Sequence, residues 1–245
     1  MDQSLERMRL LIGEEGLDVL SKATVMVVGV GGVGSFCAEA LARCGVKNII
    51  LVDGDVVAQS NLNRQIHAQY DTIGKAKVEV MEQRIHTYQK DCKVIKKKMF
   101  YDASCNEELF SQQVDFVVDA IDTISSKADL ICYCKKHKIP FISSMGMANR
   151  WDPTKLECMD LMKTTYDPLA KVLRNIIRTR KVRGKIPVVC STEKPFIQHQ
   201  VINENGRTRK EKMPPASNPF VPSTAGFVCA STAVRYILKK ANILV

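Results

Sequence analysis

The chain has 245 residues, 45% of them apolar, which is enough to bury a full core as one large α/β unit. No run approaches the ~18 uninterrupted apolar residues of a membrane-spanning helix, and Met1-Asp2-Gln3-Ser4-Leu5-Glu6-Arg7 lacks the basic start and apolar stretch of a secretory leader. A soluble, cytoplasmic protein without a membrane partner is expected, and nine cysteines, an odd number without paired spacing, fit reduced thiols better than a disulfide framework. The formal charge is +10, and residues 163–212 hold thirteen Lys and Arg against four Asp and Glu, so one segment carries nearly the whole imbalance. A stripe so concentrated favours a polyanionic partner, because binding phosphates releases counterions.

Arg7 and Arg9 fall on a first helix. Thr24-Val25-Met26-Val27-Val28 then has the length and β-branched content of a buried strand, and 36–44 has helical spacing. Between them lies Gly29-Val30-Gly31-Gly32-Val33-Gly34-Ser35, a tight turn from strand to helix. Such glycines let backbone approach a phosphate, and the helix N-terminus offers free N–H groups and a positive dipole end. Asp53 ends the next strand, 48–52, where a carboxylate can accept hydrogen bonds from ribose hydroxyls. This much fits a nicotinamide dehydrogenase, a flavoprotein or an ATP-using enzyme.

The pattern continues with a helix over 74–89 that carries Val78, Met81 and Ile85 on one face, and a short strand over 93–98. A buried strand over 114–118, a helix over 125–137 and a strand over 139–143 follow. The alternation predicts a Rossmann-like, doubly wound, mostly parallel sheet. Composition changes near Gly146. Beyond it the sequence predicts an antiparallel sheet extension from 156–161, a basic helix over 168–180, a strand over 187–191, a mobile loop over 192–219 and a closing helix over 225–240. The chain is thus expected to be one unit, 1–245, with a nucleotide-binding core over 5–145 and a substrate-facing extension over 146–245.

The polar residues behind the glycine loop separate the nucleotide chemistries. Asp53 and Asp55 are followed by Ser60-Asn61-Leu62-Asn63-Arg64-Gln65 and then by Gly74-Lys75-Ala76-Lys77. Hydride transfer leaves phosphates untouched and has no evident need for this cluster. Attack of a carboxylate on the α-phosphorus of ATP builds charge on phosphoryl oxygens and on departing pyrophosphate, which fixed cations and a metal ion offset. Arg64 and Lys77 are suitable cations and Asn61 a neutral donor, while Asp122, past the end of a strand, is a candidate for holding Mg²⁺.

This arrangement resembles the activating-enzyme superfamily of MoeB, ThiF, HesA and the ubiquitin-activating enzymes, through the glycine loop, Asp-x-Asp, Ser-Asn-x-x-Arg-Gln, Gly-x-x-Lys and Asp-x-x-Asp. The resemblance implies adenylation of a carboxylate with ATP and Mg²⁺. It implies nucleotide contacts from Gly29, Gly31, Gly32, Gly34, Asp53, Asp55, Asn61, Arg64, Gln65, Lys77 and Asp122. It also implies a homodimer in which an N-terminal arginine, Arg9 by position and Arg7 second, reaches the other subunit's ATP.

The segments Gly146-Met147-Ala148-Asn149-Arg150-Trp151-Asp152-Pro153, Asp167-Pro168-Leu169-Ala170 and Pro219-Phe220-Val221-Pro222 are similar to the tRNA threonylcarbamoyladenosine dehydratase branch. That likeness implies ATP-driven activation of the threonyl carboxylate on a modified adenosine next to the anticodon, closure to a cyclic form, and tRNA as partner along the basic stretch 171–212. The alternative is an activating enzyme for a ubiquitin-like modifier or sulfur-carrier protein of the MoeB/ThiF type. Those groups hold zinc with two Cys-x-x-Cys pairs, whereas this chain has only Cys132-Tyr133-Cys134, so no structural zinc is expected. Cys190, at a strand end, is the one thiol near enough to watch. A sulfur-transfer protein partner stays open.

Overall fold

The computed structural model describes residues 3–197, 199 and 215–243. Seven strands, β1 (Thr24–Val28), β2 (Asn48–Val52), β3 (Lys93–Lys97), β4 (Phe116–Asp119), β5 (Phe141–Ser144), β6 (Leu156–Asp160) and β7 (Pro187–Ser191), form one sheet in the order β3-β2-β1-β4-β5-β7-β6. Every pairing is parallel except β6 with β7, which matches the expected antiparallel extension. The helices are α1 (Glu6–Lys22), α2 (Gly34–Arg43), α3 (Lys77–His86), α4 (Asn106–Leu109), α5 (Ile124–His137), α6 (Pro168–Thr179) and α7 (Phe220–Lys240). Among the described residues no helix is long and apolar enough to cross a membrane.

Strands β1 and β2 are apolar after their first residue because both sheet faces are covered. Val25 and Val27 of β1, with Ile49 and Leu51 of β2, pack against Cys37 and Leu41 of α2 and Ala225, Cys229 and Ala233 of α7. Met26, Val28, Ile50 and Val52 face the other way, toward Ala128 and Ile131 of α5 and Leu173 and Ile177 of α6. Edge strand β3 carries lysines at 93, 96 and 97, a composition that discourages pairing with a second sheet.

Three boundaries differ from expectation. The helix expected over 74–89 is shorter, because Val57 accepts the Gly74 N–H and Lys75 accepts that of Val57, pinning 74–76 in an extended bridge. The closing helix begins at Phe220 instead of 225. Pro222 is tolerated in its first turn, where N–H groups lack intrahelical acceptors, and Asn218 Oδ1 accepts the N–H groups of Phe220 and Val221. Helix α1 is broken at Gly13, whose φ of 74° and ψ of 176° no helix contains. Much of the stretch expected to be a mobile loop, including Arg207, Arg209, Lys210 and Lys212, lies outside the described residues.

Candidate active site

The strand order reverses between β1 and β4, so the loops leaving these strands diverge and open a crevice at the carboxyl edge of the sheet. A cavity of about 650 Å³ occupies that crevice. The glycine loop forms one wall. Gly29 takes φ +91°, and a Cβ there would stand 2.6 Å from the Ala120 carbonyl oxygen, so the two diverging loops touch at a point only glycine fits. A Cβ on Gly34 would collide with the Gly29 carbonyl, which closes the turn into α2. Gly31 instead faces open space, its nearest neighbour being Gln65 Nε2 at 3.9 Å from an ideal Cβ.

Asp53 braces this wall. Its Oδ2 accepts the Val30 N–H at 2.6 Å and its Oδ1 accepts the Asp55 N–H at 2.8 Å. Burial raises its pKa, opposed by the Lys77 charge and by these two N–H bonds. Lys77 opens α3 and is brought over the cavity by the bridge between Val56 and Ala76. Its Nζ lies 2.7 Å from Asp55 Oδ2, the lysine side chain 7% exposed and the aspartate 53%.

The short turn at 59–61 is held by Asn61, whose Oδ1 accepts the Ala58 N–H at 3.0 Å. Arg64 donates from Nη1 to the Ser60 carbonyl at 2.6 Å and to Asn63 Oδ1 at 2.8 Å. Gln65 is buried with Oε1 unpartnered, an orphaned acceptor in the cavity wall. Asp122 lies three residues past β4, exposed at the rim.

The cavity therefore gathers Gly29, Gly31, Gly32, Asp53, Asp55, Asn61, Arg64, Gln65, Lys77 and Asp122, residues separated by up to 93 positions in the chain. Gly34 shapes the loop from behind without lining the cavity. Arg9 is elsewhere, with Nε 2.6 Å from Glu14 Oε1, and takes no part in this cavity. Cys190 is buried, and loss of solvation pushes its thiol up to about 12, so it is a core residue and not a nucleophile.

Several residues enter beyond the nucleotide-contact set expected from the sequence. Phe100, just past β3, lines the cavity at 70% exposure, its ring against Gly54. Below the floor Lys127 is fully buried and donates to Asp119 Oδ2 at 2.9 Å, to Ser143 Oγ at 3.3 Å and to the Ser144 carbonyl at 2.9 Å. At the far end Arg150 is buried, donating to the carbonyls of Glu193 and Tyr166. It lies 3.7 Å from Asp167 Oδ2, a carboxylate that also accepts N–H groups of Gly146 and Ala170. Arg150 and Asp167 lie in two of the segments that carry the dehydratase resemblance, and Asp167 followed by Pro168 is also a recognisable helix start. His67 is buried with both ring nitrogens unpartnered, and burial first, then the Lys77 and Arg84 charges, holds its pKa down at about 4.

The arrangement offers what a nucleotide triphosphate requires: backbone without side chains, fixed cations, and carboxylates at opposite rims. Residues 5–243 match the model of the ThiF family. The chain is 46% identical to the tRNA threonylcarbamoyladenosine dehydratase of Bacillus subtilis over 99% of this chain and 98% of that protein. It is 38% identical to the protein of the same name from Escherichia coli, over 94% and 92% respectively. The crystal structure of E. coli TcdA in complex with ATP superposes with a TM-score of 0.87 at 36% identity, covering 98% of this chain and 96% of that one.

Proposed function

The chain belongs to the ThiF family, and within it we propose an ATP-dependent dehydratase that adenylates the threonyl carboxylate of threonylcarbamoyladenosine in tRNA and drives its cyclisation. The single observation that carries this reading is the convergence of Asn61, Arg64, Gln65, Lys77 and Asp122 around the glycine loop in one cavity at the strand-order reversal. Full-length similarity to dehydratases so named, and to a relative crystallised with ATP, supports it.

In this reading a carboxylate oxygen of the substrate bonds to the α-phosphorus of ATP and the bond to the β-phosphate oxygen breaks, releasing pyrophosphate. An atom of the same substituent then attacks the activated carbonyl and displaces AMP, so that the net change in the nucleoside is loss of water. The second step needs no protein nucleophile, because attacker and target are already tethered. Asp53 accepts from the ribose, and the N–H groups of the glycine loop approach the phosphates. Arg64 and Lys77 offset the charge that develops on the phosphoryl oxygens, with Asn61 as a neutral donor. The orphaned Gln65 Oε1 and the space beside Gly31 form a cradle that suits the nucleotide.

Mg²⁺ would be held at Asp122 and by the substrate's own phosphates. It keeps several waters and takes one or two carboxylates, so it needs no closed protein cage. Among the described residues no cluster of three or more His, Cys, Asp and Glu is present.

The nucleotide-binding core over 5–145 and the extension over 146–245 act as one unit in this reading, in a cytoplasmic homodimer with Arg9 directed to the partner's ATP. The tRNA lies along the exposed Lys171, Arg178, Lys181, Arg183 and Lys185, and a sulfur-transfer protein would dock elsewhere. Mass spectrometry of nucleosides from tRNA incubated with the protein and ATP tests the reading, with loss of one water expected. ATP turnover with a small ubiquitin-like protein and none with tRNA would overturn it.

A further inference from the structure

We propose that Trp151 and Phe220 form a stacking platform for an unpaired tRNA base beside the modified adenosine, with Tyr166 under Lys194 as a second aromatic face. The inference rests on the tRNA reading above and specifies how the substrate is held.

Three large aromatic residues stand exposed on one wall: Trp151 at 63%, Tyr166 at 55% and Phe220 at 50%. Each adjoins a cavity residue, since Trp151 follows Arg150, Tyr166 precedes Asp167, and Phe220 lies two before Pro222. Their backbone is fixed from beneath. Glu193 Oε2 accepts the Trp151 and Asp152 N–H groups at 2.9 and 3.0 Å, and the Tyr166 carbonyl accepts from Arg150 Nη2 at 3.0 Å. Asn218 donates to the Arg150 carbonyl at 2.6 Å and accepts the Phe220 N–H at 3.0 Å. The side chains thus stand at the surface on hydrogen-bonded backbone, an exposure that burial of those rings in the protein's own core does not explain.

Trp151 and Phe220 meet edge to face, centroids 5.8 Å apart at 76°, so neither ring has both faces covered by the other. Lys194 Nζ lies 5.3 Å from the Tyr166 ring centre. Helix α6, beginning just after Tyr166, carries the exposed Lys171 and Arg178. Flat faces beside spaced cations are the means by which proteins hold splayed single-stranded bases. A substituent on a base can enter the cavity only if that base leaves its stack, and a neighbouring base freed by the same distortion needs a new face. Charge alone, the expectation from the basic stretch, would leave that base unsupported.

Trp151 is the only tryptophan of the chain, so its emission reports on the platform directly. Titrating the full-length protein with the tRNA stem-loop that carries the modified adenosine is expected to quench that emission, and the same strand annealed to its complement is not. Trp151→Ala should raise KM for the tRNA about tenfold or more, the consequence of losing one stacked base, with ATP binding retained and Trp151→Phe restoring most of the affinity. Equal quenching by the duplex, an unchanged KM for Trp151→Ala, or quenching by a carrier protein ending in Gly-Gly but not by tRNA overturns the platform. A wild-type protein that dehydrates no tRNA overturns the functional reading and the platform with it. An active wild type with an indifferent Trp151→Ala overturns the platform alone.

Discussion

Lys77 Nζ sits 2.7 Å from Asp55 Oδ2, with the lysine nearly enclosed and the aspartate half exposed. The pair presents a cation to the cavity while a solvated carboxylate offsets the cost of burying it. Because Asp55 is exposed, the pair itself stabilises the fold by no more than about 1 kcal/mol. Lys77→Met keeps the apolar stem and removes the charge. It should lower the rate of nucleoside dehydration by about 10²–10³-fold, the order seen when one transition-state donor is lost, with little change in Tm. Pyrophosphate release and thermal unfolding, measured on one preparation, separate the two effects.

Gly29 and Gly74 make a matched test of why the loop is glycine. Both have left-handed backbone, φ +91° and +86°, but a Cβ on Gly29 meets the Ala120 carbonyl whereas one on Gly74 meets nothing within 4 Å. Gly74→Ala should cost about 1–2 kcal/mol from backbone strain alone and leave ATP affinity as it was. Gly29→Ala adds overpacking of about 1–3 kcal/mol and forces the two loops apart, so ATP binding is expected to be lost as well. Denaturant melts with ATP titration distinguish them.

A linear chain carries only some of the physical signals that place these residues. Strands β1, β2 and β4 were readable because burial on both faces leaves an unbroken apolar run, and Lys77 and Asp122 because they follow the loop at recognisable offsets. Lys127 was not, since a lysine on a helix ordinarily marks the solvated face, and only the fold places it over Asp119. The start of α7 was hidden by Pro222, which reads as a helix breaker unless it is known to occupy a first turn. Trp151 and Phe220 reveal their exposure only in three dimensions. The fold fixes Arg9 on its own Glu14, and sequence resemblance alone directs it to a partner.

The buried Lys127–Asp119 pair predicts an asymmetry between single and double variants. Both side chains are essentially inaccessible, and Ser143 Oγ also donates to Asp119 Oδ2, at 2.6 Å. Lys127→Met leaves an unpaired carboxylate in the core and should cost about 3–5 kcal/mol. Adding Asp119→Asn removes that charge, and the double variant should recover part of the loss. Urea midpoints of the four proteins give the coupling energy directly.

His67 predicts a pH dependence of stability. Its folded pKa of about 4 lies below the ordinary 6.5, so between these values the unfolded chain binds the proton and the native state does not. Its contribution is fully present above about pH 6.5 and is lost progressively as pH falls toward 4, amounting to about 3 kcal/mol. His67→Leu should flatten this part of the profile. Urea midpoints at pH 7 and pH 5 for both proteins check the sign, and a wild type that loses no more stability than its variant between pH 7 and pH 5 would contradict it.

The reading of Arg9 as a residue acting across subunits can be tested by mixing two inactive proteins. In this protomer Arg9 pairs with Glu14 and stands apart from the cavity, so Arg9→Ala should leave the fold and the protomer's own ATP contacts intact while abolishing dehydration if the site is shared. Lys77→Met abolishes it from the other side. When the two are unfolded and refolded together, a mixed dimer holds one site with both defects and one with neither. Random pairing makes about half the dimers mixed, so the mixture should regain about a quarter of wild-type activity. No recovery, with mixed dimers verified by mass, would place Arg9 outside the partner's site.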